Sequence, residues 1–130
     1  MAKFIGNKLG RDKSLENLAK DGMTAQYHYV SGHELRQALQ RKLVEEAEEV
    51  HESKDHKEVI DELADVLEVI DGLCKAYDIS MADVLKAKAE KLERRGGFET
   101  GFYIETFEID ENNPKINYFR ASPHKYPEIK

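Results

Sequence analysis

Two short acidic patterns could do chemistry in this chain: Glu45-Glu46-x-x-Glu49 and, a little further on, Glu62-x-x-Asp65. Acids spaced this way project from about the same side of a helix. At about 100° of turn per residue, Glu46 falls among Leu35, Leu39 and Val50, and Glu62 among Val66, Val69 and Leu73. Both acids therefore lie inside an apolar stripe, where an unpaired charge is costly. Glu49 and Asp65 lie at the margins of the same stripes. Lys42, one turn before Glu46, is a counter-charge for Glu46 or Glu49, but one lysine does not neutralise four clustered carboxylates. At about 5 Å and an effective dielectric near 20, each like-charge pair costs roughly 3 kcal/mol. A divalent cation, or protonation of some of the acids, resolves the conflict. Oxygen ligands alone select a hard ion, so Mg²⁺ is the expected metal, with Mn²⁺ able to substitute. Because Mg²⁺ takes substrate phosphate oxygens among its ligands, the cluster predicts metal-dependent chemistry on a phosphorylated substrate.

A di-iron carboxylate bundle needs Glu-x-x-His on two helices. Glu48-x-x-His51 supplies one copy, and the helix carrying Glu62 and Asp65 supplies none. The remaining acids Glu48, Glu52, Asp61, Glu68 and Asp71 read as solvated helix faces.

A second, basic group stands at the end of a later helix. Lys88, Lys91 and Arg95 share a face, and Arg94 sits beside them, just before Gly96-Gly97-Phe98. One reading is cations complementing the helix dipole. The other is a phosphate clamp, with the glycines letting backbone approach an anion.

The elements that must position these groups are marked by their caps. Ser31-x-x-Glu34, Asp55-x-x-Glu58 and Ser80-x-x-Asp83 each pair an oxygen-bearing cap with an acid three residues on. They predict helices near 32–53, 56–77 and 81–95. A shorter helix is expected from Ser14 to Asp21, stopped by Gly22 in a left-handed conformation. On the helix near 56–77, Ile60, Leu63, Leu67, Ile70 and Cys74 form one stripe that Val59, Val66, Val69 and Leu73 widen. That arc is broader than one partner helix needs, and it predicts a homodimer or homotetramer. After Gly97, the run Phe102–Ile109 is rich in aromatic and β-branched residues and predicts a strand, paired with Lys3-Phe4-Ile5 or with another copy. Asn113-Pro114, Ser122-Pro123 and Tyr126-Pro127 predict a loose tail beyond it. The expected architecture is an all-α helical bundle completed by oligomerisation, with a small C-terminal β element. It forms one domain over 1–130, with a helical core at about 14–95 and the strand and tail at 98–130.

Composition narrows the classes. A chain of 130 residues with 35% charged residues and a mean hydropathy of −0.69 suits a water-facing helical protein. A net charge of −6 leaves no excess of cations for nucleic acid or an anionic membrane. Cys74 is the single cysteine and reads as a core thiol. No stretch has the length of a membrane span and no N-terminal apolar region suggests a signal peptide, so the expected location is the cytoplasm.

These residues resemble the all-α nucleoside triphosphate pyrophosphohydrolases, whose pattern is Glu-Glu-x-x-Glu on one helix and Glu-x-x-Asp on the next. It appears here as Lys42-Leu43-Val44-Glu45-Glu46-Ala47-Glu48-Glu49-Val50 and Asp61-Glu62-Leu63-Ala64-Asp65-Val66-Leu67. The similarity continues through Tyr77-Asp78-Ile79-Ser80 into Lys88-x-x-Lys91-x-x-x-Arg95-Gly96-Gly97-Phe98 and covers roughly residues 7–109. The chain looks most like a MazG-like, house-cleaning subgroup that carries an N-terminal Lys-Leu-Val-Arg-Asp-Lys stretch, which reads Lys8-Leu9-Gly10-Arg11-Asp12-Lys13 here. The resemblance implies Mg²⁺-dependent hydrolysis of a nucleoside triphosphate to a monophosphate and pyrophosphate. In that scheme Glu46, Glu49, Glu62 and Asp65 hold metal, Glu45 or Glu49 activates water, and Lys88, Lys91, Arg94 and Arg95 bind the phosphates. The helix pair is also similar to that of phosphoribosyl-ATP pyrophosphohydrolase, a histidine-biosynthesis enzyme. A non-catalytic oligomeric bundle whose acids are structural is the rival from another class.

Overall fold

The computed structural model describes residues 1–130, which form five helices and no strand: α1 Ser14–Lys20, α2 Gly32–Glu52, α3 His56–Ala76, α4 Met81–Arg95 and α5 Ile116–Arg120. The four helices expected from the caps are all present, with bounds within a residue or two. The all-α class is borne out. Residues group into two compact units, Met1–Arg95 and Gly96–Lys130.

In the first unit α2 and α3 form a helical hairpin, and no other pair of helices packs comparably. The turn between them is set by α3's cap. Asp55 is extended, and its carboxylate accepts from the Glu58 N–H at 2.9 Å. Glu58 reaches back to accept from the Lys54 N–H at 2.8 Å, one residue earlier than in the usual reciprocal box. At the other end of α3 the chain leaves through a Schellman motif. The Ile79 N–H donates to the Cys74 carbonyl at 2.7 Å and the Asp78 N–H to the Lys75 carbonyl at 3.2 Å. Asp78 takes the left-handed position at φ 56°, a conformation aspartate tolerates better than most residues. α1 stops as predicted, with Gly22 at φ 75°.

Leu39 of α2 and Val69 and Cys74 of α3 are the buried apolar residues of the hairpin. Gly72 sets how closely the helices approach: a Cβ there would lie 3.1 Å from Leu39 Cδ2. Tyr77 ties the end of α3 to α2, accepting a hydrogen bond from Gln40 Nε2 at 2.7 Å beneath the Arg36 guanidinium. The wide arc of α3 is only partly covered, with Ile60, Leu63 and Leu67 still 66%, 47% and 63% exposed. α4 buries no residue.

The second unit corrects two expectations. Phe102–Ile109 is not a strand, because a strand's N–H and C=O groups need a neighbouring strand and Lys3-Phe4-Ile5 forms none. The Phe107 ring instead packs on Phe119 at 4.7 Å and Tyr126 at 6.1 Å. The tail is also more ordered than its prolines suggested. α5 buries Ile116, and Arg120 pairs with both Glu111 and Glu128, each at 2.9 Å. Glu128 accordingly sits below the usual carboxylate range, held there by its hydrogen bonds to Arg120.

Candidate active site

The site grows out of the α2–α3 hairpin. Antiparallel packing sets the second half of α2 against the first half of α3, and the acids of the two patterns meet across that seam. Ligand atoms of Glu46, Glu49, Glu62 and Asp65 all lie within 4.8 Å of one another. Glu46 is buried at 6% exposure, and the other three are half-buried. The stripe positions of Glu46 and Glu62 thus bring them where the helical angles placed them.

Burial pushes the Glu46 carboxyl above its ordinary value; hydrogen bonding and charge from Glu49 push the same way, and Lys42 opposes them. Glu49 is raised as well, first through its hydrogen bond with Glu62. Lys42 Nζ lies 3.4 Å from both Glu46 Oε1 and Glu45 Oε1. Even so, Glu46 Oε2 and Glu62 Oε2 are buried without a hydrogen-bond partner. Such orphaned oxygens destabilise the site unless a proton or a cation satisfies them. Four carboxylates at this spacing, with two buried oxygens left over, fit a hard divalent cation.

Glu45 lies just outside the four-acid group, tethered to it by Lys42. Two residues that the helical patterns did not single out also reach the acids. Arg11 Nη2 lies 2.6 Å from Asp65 Oδ1, and Lys8 Nζ lies 3.9 Å from Glu45 Oε1. Both come from the segment before α1, where no periodicity assigns a facing partner. The available signal was the resemblance of Lys8-Leu9-Gly10-Arg11-Asp12-Lys13 to the stretch that the MazG-like subgroup carries. Lys88, Lys91, Arg94 and Arg95 are all exposed on α4, and none of them forms an ion pair within the chain. Tyr27 and Tyr29 meet edge to face at 5.7 Å and are exposed.

No curated protein and no solved structure matches the chain. A family model for phosphoribosyl-ATP pyrophosphohydrolase matches residues 15–92, more than half of the chain and a span that holds α2, α3 and both acidic patterns. With four acids converging across a helical hairpin, the chain belongs to the phosphoribosyl-ATP pyrophosphohydrolase family of the MazG-like pyrophosphohydrolases, hydrolases that act on a phosphoanhydride bond.

Proposed function

We propose that this enzyme hydrolyses the α–β phosphoanhydride of a nucleoside triphosphate, a non-canonical one included, giving a nucleoside monophosphate and pyrophosphate. The observation that carries this reading is the convergence of Glu46, Glu49, Glu62 and Asp65 with two orphaned buried oxygens. These four residues would hold Mg²⁺, which when bound supplies positive charge to phosphate oxygens as charge builds on the departing pyrophosphate.

The chain's own groups supply the rest. A water oxygen forms a bond to one phosphorus of the anhydride, and the bridging oxygen leaves on the other. Glu45 or Glu49 would orient that water and take its proton; the position of Glu45 just outside the four-acid group supports Glu45. Lys88, Lys91, Arg94 and Arg95 would neutralise the phosphate tail, a role supported by their clustering, exposure and freedom from other partners. We further propose that the whole chain acts as one enzyme domain and assembles as a homodimer or homotetramer. The uncovered apolar stripe Ile60, Leu63 and Leu67 supports that assembly.

The name of the matching family favours a second substrate, phosphoribosyl-ATP, in which the same bond breaks. Product analysis decides between the two. A panel of ribo- and deoxyribonucleoside triphosphates plus phosphoribosyl-ATP is incubated with and without Mg²⁺. Pyrophosphate release that needs Mg²⁺ and is lost in Glu62→Gln is the expected result, and the best substrate names the reading. No release from any of them, by folded protein, counts against both.

A further inference from the structure

Arg11 is a cation in contact with one of the four acids, and its position is built by the local chain. Its N–H donates to Ser14 Oγ at 2.8 Å and its carbonyl accepts from the Ser14 N–H at 2.9 Å, fixing it at the entrance to α1. From there the guanidinium reaches Asp65 at 2.6 Å, a partner 54 positions away in sequence. The pair lies at the solvent rim, with side chains 59% and 37% exposed, where an ion pair contributes little and exchanges readily.

Two facts bear on what this pairing does. Arg11 leaves Glu46 Oε2 and Glu62 Oε2 unsatisfied, so it does not complete the neutralisation of the cluster. It also holds Oδ1 of Asp65, one of the four carboxylates that would share a cation. A guanidinium does not lose its proton, so once displaced from Asp65 it remains a cation free to meet an anion close by. A substrate polyphosphate bound beside the acids is that anion, and the planar fork of arginine matches phosphate in a bidentate manner.

We propose that Arg11 is a substrate-binding residue that rests on Asp65 and passes to the β- and γ-phosphates when the divalent cation claims that carboxylate. The inference rests on the metal reading above. It makes the N-terminal segment part of the site, and it predicts opposite effects of one substitution on two ligands.

The test uses isothermal titration calorimetry on the full chain, with Mg²⁺ alone and then with inorganic pyrophosphate at saturating Mg²⁺. Arg11→Gln is expected to bind Mg²⁺ about two- to fivefold more tightly, the range that loss of an exposed competing pair allows. The same variant is expected to bind pyrophosphate roughly tenfold more weakly, as loss of a charge-assisted hydrogen bond implies. Arg11→Lys keeps the wild-type Mg²⁺ affinity and restores only part of the pyrophosphate affinity. Unchanged pyrophosphate binding in Arg11→Gln, or both affinities moving in the same direction, overturns the exchange and leaves the metal site standing. A wild-type protein that takes up no Mg²⁺ overturns the metal reading, and the exchange with it.

Discussion

Lys42 Nζ lies 3.4 Å from Glu46 Oε1 one turn along α2, with the two side chains only 17% and 8% exposed. This is the cation sunk deepest among the acids, and it opposes the burial that raises Glu46. Removing it leaves charge without a partner. Lys42→Met is expected to destabilise the metal-free protein by roughly 2 kcal/mol near neutral pH, as loss of a hydrogen bond to a charged group implies. The loss should shrink in acid, where Glu46 carries a proton. Chemical denaturation at two pH values checks this, and a loss of equal size at both pH values would contradict it.

The raised acids set how stability depends on pH. Glu46 and Glu49 both sit above the ordinary carboxylate value, so at these two groups the folded chain holds more protons than the unfolded one in the range above it. The contribution of these two acids to the stability of the metal-free protein is therefore fully present below the ordinary carboxylate range and is lost as pH rises through their raised values. Mg²⁺ needs the deprotonated acids, so its stabilising effect grows over the same range. Melting curves from about pH 5 to about pH 8, with and without Mg²⁺, should converge in acid and separate in base. A gap that is the same throughout would rule out proton-linked metal binding.

Substitutions at the cluster should move activity and metal-free stability in opposite directions. Glu62→Gln removes one charge from a group of four, relieving repulsion of up to roughly 3 kcal/mol per close pair. Its metal-free melting temperature is expected to rise by a few degrees, while Mg²⁺-dependent turnover falls by about a hundredfold or more. Glu45→Gln and Glu49→Gln separate the base from the ligands. The first is expected to keep Mg²⁺ affinity and lose turnover, and the second to lose both. Loss of Mg²⁺ binding in Glu45→Gln would move that residue into the metal group.

Gly72 lies where α3 approaches α2, so a bulky residue there acts on the site through the seam. Gly72→Val drives its side chain toward Leu39, already 3.1 Å from an added Cβ, and overpacking of this kind costs about 1–3 kcal/mol. Because the four acids straddle that seam, Mg²⁺ affinity should fall with stability. A calorimetric titration beside a melt checks the coupling, and a destabilised variant with wild-type Mg²⁺ affinity would show that the two helices hold the acids independently.

Much of this was legible in the chain because helices announce themselves locally. Ser31, Asp55 and Ser80, each with an acid three residues on, marked the starts of α2, α3 and α4, Gly22 marked the end of α1, and the apolar stripes placed Glu46 and Glu62 at the seam. Membership in a pyrophosphohydrolase family followed from the two acidic patterns. What escaped depends on partners distant in sequence or on tertiary context. The contact between Arg11 and Asp65 leaves no spacing signal. Phe102–Ile109 has the composition of a strand, but strands exist only in pairs, and Phe107 found Phe119 instead. Pro114 reads as a breaker in the sequence, yet proline suits the approach to a helix, and α5 begins two residues later.

The connection Ser53–Asp55 joins α2 directly to α3, so all four converging acids lie within one helical hairpin. Contacts between near neighbours in sequence close small loops and form early. In a nascent chain all four acids have therefore emerged once α3 is clear of the ribosome. The charge conflict arises at that moment, before α4 and the tail have been made. Folding of this protein is accordingly a process in which the availability of a counter-ion bears on the first helical pair to form, and magnesium in the folding buffer should speed the earliest observable phase.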